Sequence, residues 1–138
     1  MTQGQKFTVQ DHERTFAFHG VLLGHASSES RTKKRWTEMS IYRTDKGTYI
    51  ISGIGQTRVK KGDRIWDDDA KTEVVALADE TPRAWAHVCE SAEGAIQRLY
   101  LYDNDNVRYM TRIARLALES AIKLDVALRD AFLVEEVA

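Results

Sequence analysis

The chain has 138 residues, about one domain's length, with 43% apolar and 30% charged side chains and a formal charge of −1. This composition disfavours a disordered tail and a uniformly basic nucleic-acid binder, and no run approaches the roughly 20 apolar residues of a membrane-crossing helix. A lone cysteine, Cys89, excludes an internal disulfide and a multi-cysteine zinc site, and with no apolar signal segment after Met1 a soluble, cytoplasmic protein is expected.

The polar first dozen residues read as a flexible arm (1–12), leaving 13–138 as one α+β domain. Residues 14–26 predict a strand. Phe16, Phe18 and Leu22 fall on one face and Ala17, Val21 and Leu23 on the other, with Gly20 and Gly24 marking bulges or bends. After a charged loop over 27–34, residues 35–43 predict a second strand. Thr44-Asp45-Lys46-Gly47 is a hairpin connection in which Gly47 supplies a positive φ, and 48–54 return as a third strand. Residues 64–66 and 72–77 are short strand candidates around the acidic turn Asp67-Asp68-Asp69, so the first half predicts an antiparallel meander of four or five strands.

Thr81-Pro82 predicts a helix start, with Trp85, Val88, Cys89 and Ala92 on one face and Gly94 as its end. The alternation over 95–102 favours a strand, against a helical alternative. A long helix is predicted over 106–133, capped near Asp105, because Val107, Met110, Ala114, Ala117, Ala121, Leu124, Leu128 and Ala131 recur at spacings of three and four with no glycine or proline between them. The expected fold is thus α+β: an antiparallel sheet packed by a short helix and a long C-terminal one.

Near-neutrality conceals a division of charge. Residues 31–64 carry a net +7, residues 65–138 a net −7 and residues 1–30 a net −1. In a meander the first and third connections emerge at the same sheet end. That places Arg31, Lys33, Lys34 and Arg35 beside Arg58, Lys60, Lys61 and Arg64 as one basic patch, with Trp36 and Trp66 nearby. Phosphates attract such groups through charge and counterion release, and an exposed tryptophan can stack on an unpaired base. The competing structural reading has the loops as solubilising sheet ends and both tryptophans in the core.

Other constellations are weaker. Consecutive aspartates on an extended chain point to alternate sides, and Asp103-Asn104-Asp105 lacks the later ligands of a calcium loop. His19 and His25 are six residues apart, roughly 20 Å along a regular strand, too far to share a metal. Cys89 on an apolar face reads as a buried, inert thiol. No nucleophile elbow or glycine-rich phosphate loop is present, so neither catalytic residues, metal ligands nor a cofactor is expected. Tyr42, Tyr49, Tyr100, Tyr102 and Tyr109 offer a third reading, a small-molecule pocket between sheet and helix.

The pattern Arg35-Trp36, Tyr42-Arg43-Thr44 and Gly47-Thr48-Tyr49 resembles short proteins of actinobacteria and their phages, a resemblance that implies no site residue. The sequence leads to a non-enzymatic binding or regulatory protein whose basic sheet end engages an anionic macromolecule, nucleic acid or an acidic protein surface, with no role at a membrane. The alternative is an assembly protein or phage-encoded inhibitor acting through protein contacts, with Ala114, Ala117, Ala121, Leu124 and Leu128 as the face of a homodimer.

Overall fold

The structure, a computed structural model, describes residues 3–134. The first two residues of the expected arm lie outside that range. Its remainder is not an arm, because Gln5–Asp11 forms strand β1. Phe7 and Val9 alternate with polar neighbours and pair with Phe18 and Phe16 of β2 (Arg14–Ser27), while His12, at φ 56°, makes the turn. β3 (Arg35–Thr44) and β4 (Tyr49–Thr57) follow as a hairpin in which Gly47 takes the expected left-handed φ, 88°.

Beyond this point the meander departs from expectation. β5 (Arg64–Asp67) and β6 (Thr72–Val75) pair only with each other, as a hairpin outside the main sheet. The place beside β4 belongs to β7 (Arg83–Cys89), giving an antiparallel sheet in the order β1-β2-β3-β4-β7. The segment after Thr81-Pro82 is therefore a strand. Trp85 and Cys89 satisfy both periods in so short a run, and pairing with β4 decides between them. Trp85 lies opposite Gly53, where any Cβ would overlap its ring.

The helix expected there begins later. Ser91 caps α1 (Ala92–Leu99), its Oγ accepting from the Gly94 N–H at 3.0 Å, so Gly94 sits in the first turn rather than ending a helix. The strand expected over 95–102 shrinks to β8 (Leu101–Tyr102), paired with β9 (Arg108–Tyr109). Asp103 closes the turn between them by accepting the N–H groups of Asp105 and Val107 at 2.9 and 2.8 Å.

The single C-terminal helix is two: α2 (Arg112–Ala121), capped by Thr111 rather than Asp105, and α3 (Val126–Leu133). Asp125 makes the break. Its carboxylate caps α3 through the Leu128 N–H at 2.9 Å, accepts the Tyr49 hydroxyl at 3.0 Å and pairs with Arg43 at 2.6 Å, while the residue is only 3% exposed. A continuous helix would carry this side chain away from β3 and β4.

The sheet curls until its outer strands meet, with the His12 N–H donating to the Ala84 carbonyl at 2.8 Å and the Ala86 N–H to the Asp11 carboxylate at 3.3 Å. A bulge between Leu22 and Gly24 interrupts the alternation of β2. Val9, Ile50 and Ala86 fill the inside of the curl with Phe16, Phe18 and Tyr42, and the Phe7, Phe18 and Tyr42 rings contact one another. The outer face, with Leu23, Ala26, Ile41 and Ile51, packs against the helices. Ile41, Leu118 and Leu128 are completely buried, and each such side chain contributes about 1.5–3 kcal/mol.

α2 approaches β2 so closely that a Cβ on Gly24 would overlap the Ala117 carbonyl. The small residues therefore serve the chain's own core. Ala114, Ala117, Ala121 and Leu128 are buried within it and cannot form the homodimer face expected from the sequence. Of that set Leu124 alone is exposed, at 65%.

Asp125→Ala should cost about 3 kcal/mol, through the lost cap and the stranded Tyr49 and Arg43 donors, and Asp125→Asn, which still accepts at the cap, less. Urea unfolding midpoints measure the difference, and equal losses would contradict this account. Burial first, then the Asp125 hydrogen bond, pushes Tyr49 up to about 12. The folded chain thus keeps this proton where the unfolded chain has lost it, so stability present below pH 10 should fall as pH rises towards 12. Subtracting the phenolate titration of Tyr49→Phe from that of the parent chain should isolate a component near pH 12.

Candidate functional site

Three connections meet at one end of the sheet: residues 28–34, residues 58–63 and the segment from Ala76 to Pro82. Backbone bonds lock them together. The Arg58 N–H donates to the Lys34 carbonyl at 2.8 Å, the Gly62 N–H to Ala76 at 2.8 Å and the Glu80 N–H to Val59 at 3.0 Å. Val59 has no exposed surface and anchors its loop like a core residue. Gly62, at φ 91°, permits the turn back into β5. The two basic loops are neighbours, as the alternation of strand directions required.

Their charges are not all free. Lys34 pairs with Asp63 at 3.0 Å, Arg58 with Glu29 at 2.8 Å, and Arg35 with Glu80 through both its Nε and Nη2. The Lys60 N–H first, then Lys34, holds Asp63 below the usual carboxylate range. Arg35 does the same to Glu80, and Glu80 in turn raises Arg35. Three members of the expected patch are therefore neutralised, which leaves Arg31, Lys33, Lys60, Lys61 and Arg64 without an ion pair among the described residues.

The two tryptophans differ. The Arg58 guanidinium lies 4.4 Å from the centre of the Trp36 ring, and the indole N–H is buried without a hydrogen-bond partner among the described residues. Trp36 is a packed platform for Arg58 and not a free stacking surface. Trp66 is 56% exposed on β5, two residues after Arg64 and on the same side of the strand. Between β3, β4 and the 79–83 segment runs a polar groove of about 810 Å³, lined by Arg35, Trp36, Gln56, Thr57, Glu80 and Arg83.

A second polar group, absent from the sequence reading, lies inside the curl. His25 Nδ1 is 2.8 Å from Ser40 Oγ, and Glu38 accepts from the Gln56 amide at 2.8 Å while its other oxygen is 3.9 Å from His25 Nε2. Strand pairing assembles it, since His25 stands opposite Ser40 only after the bulge in β2. Cys89 is buried, and burial pushes its thiol up, away from the reactive thiolate. Among the described residues no helix is long and apolar enough to cross a membrane, and no three His, Cys, Asp or Glu side chains are grouped to hold a metal ion.

The chain matches no family model, no curated protein and no solved structure. The meaning of this end of the sheet rests on its own chemistry.

Asp63 and Glu80 are both lowered in the folded chain, so the stability they supply is present above the ordinary carboxylate pKa of about 4 and is lost as pH falls through their folded values. Below pH 4, amide exchange at Arg58, Gly62 and Glu80 should accelerate before exchange in β3 and β4. Simultaneous acceleration throughout would show that these pairs do not hold the loops.

Proposed function

We propose that this chain is a small, non-enzymatic binding protein that holds an anionic macromolecule at this end of the sheet, with single-stranded nucleic acid favoured over an acidic protein surface. The observation that carries the reading is the set of cations without acidic partners, supplied by two loops that are hydrogen-bonded to each other. Rigid loops present charge without the entropy cost of ordering a flexible tail. Trp66, exposed beside Arg64, supplies the π-face that distinguishes an unpaired base from a carboxylate-rich protein. The ion-paired Lys34, Arg35 and Arg58 shape the surface and contribute little net field.

The test separates the free cations from the paired ones. Reversing Arg31, Lys33, Lys60 and Lys61 to glutamate should weaken binding to a labelled single-stranded oligonucleotide by at least about tenfold and flatten its salt dependence, because each lost phosphate contact removes about 0.7 from the logarithmic slope. Lys34→Met should change it far less. Trp66→Ala should cost about 1–3 kcal/mol of binding if bases stack there. Sensitivity to charge reversal with indifference to Trp66→Ala would favour an acidic protein partner. Binding that survives all four reversals at moderate salt would falsify the proposal.

A further inference from the structure

A separate cavity of about 440 Å³ lies on the outer face of the sheet, beneath the helices, within the roughly 300–1,000 Å³ typical of small-molecule sites. Its floor is Met39 of β3, Ile51 of β4 and Trp85 of β7. Its walls are Leu99 and Tyr100 at the end of α1 and Ile113 at the start of α2. Of the tyrosines that suggested such a pocket from sequence, only Tyr100 lines it.

Besides the hydroxyls of Ser28, Thr37 and Thr111, two nitrogen-bearing groups interrupt the apolar lining in a way that specifies a ligand. Arg98 and His87 both reach the cavity, and no carboxylate lines it. Arg35, Arg43 and Arg58 each find an acid elsewhere, whereas Arg98 makes no ion pair among the described residues. Burial first, then the charge of Arg98, holds His87 below the usual histidine value, opposed more weakly by Asp11. At neutral pH the imidazole is therefore uncharged and keeps one N–H to donate. A largely apolar cavity with an unpaired guanidinium at its exposed rim and a spare donor is complementary to a body without charge that ends in one anionic group.

We propose that this cavity binds an aromatic monocarboxylate. The ring lies against Trp85, which favours offset or edge contacts with another aromatic group, and beside Tyr100, one face of which carries the Arg108 guanidinium at 4.1 Å. The carboxylate accepts the paired N–H groups of Arg98, with His87 as a further donor. This site does not depend on the charged end of the sheet.

The probe is 2-naphthoate, with 2-naphthalenemethanol as its neutral counterpart, titrated into the nitrogen-15-labelled full chain. Naphthoate should produce saturable amide shifts at Thr37, His87, Leu99 and Ile113. Arg98→Met should weaken naphthoate by about tenfold or more and naphthalenemethanol by less than about twofold, since only the first loses a charge-assisted bond. Arg98 is exposed on α1, so this variant should keep its amide spectrum away from the cavity, which separates lost binding from lost fold. Shifts that do not saturate, shifts confined to other surfaces, or an equal loss for both probes would overturn the proposal.

Discussion

One buried carboxylate ties the last helix of this chain to its central strands. Asp125 cannot be enclosed as an unpaired ion, since burying a charge without partners is costly. It is satisfied from three directions: by the backbone of α3, by the hydroxyl of Tyr49 and by the guanidinium of Arg43. Those donors lie on different elements, so satisfying the charge fixes their relative positions. The C-terminal segment must break just before Asp125, α3 must start where it does, and Leu128 is then delivered to full burial. The interaction supplies specificity at least as much as energy. An apolar substitute of the right shape could match its stability, but it would not dictate where the helix ends.

The curl of the sheet divides the work between its two faces. Phenylalanines and Tyr42 fill the inside, so the outer face is left to receive helices. Contact of α2 with β2 is tight at Gly24, whereas the space bounded by Met39, Ile51 and Trp85 stays open beneath α1 and the start of α2. Ser28 and Thr37 border both this cavity and the polar groove at the sheet end. A single pair of side chains thus separates two environments of opposite character.

Local chemistry was legible in the sequence, and long-range chemistry was not. Gly47 announced its turn, and Phe16, Phe18 and Leu22 announced the alternation of β2. The placement of both basic loops at one end followed from strand direction alone. The segment 83–89 failed because seven residues cannot separate a period of two from one of 3.6 when tryptophan and cysteine satisfy both. β1 failed because its alternation rests on only Phe7 and Val9 among polar residues. The break before Asp125 was hidden because its partner Arg43 stands 82 positions away. The pairing of three of the patch's cations was hidden for the same reason: Asp63 lies 29 residues from Lys34, and Glu80 lies 45 from Arg35. Charge counts reveal where cations gather, and only the fold reveals which are spoken for.

The meeting of β1 and β7 has a consequence for colloidal behaviour. An open sheet presents two rows of unused N–H and C=O groups, each a template for a strand from another molecule. Here the bonds from His12 to Ala84 and from Ala86 to Asp11 turn the two margins of the sheet towards each other. Each guards the other against edge-to-edge association. Release of this seam would expose both margins, and His12 and Asp11 stand at its latch.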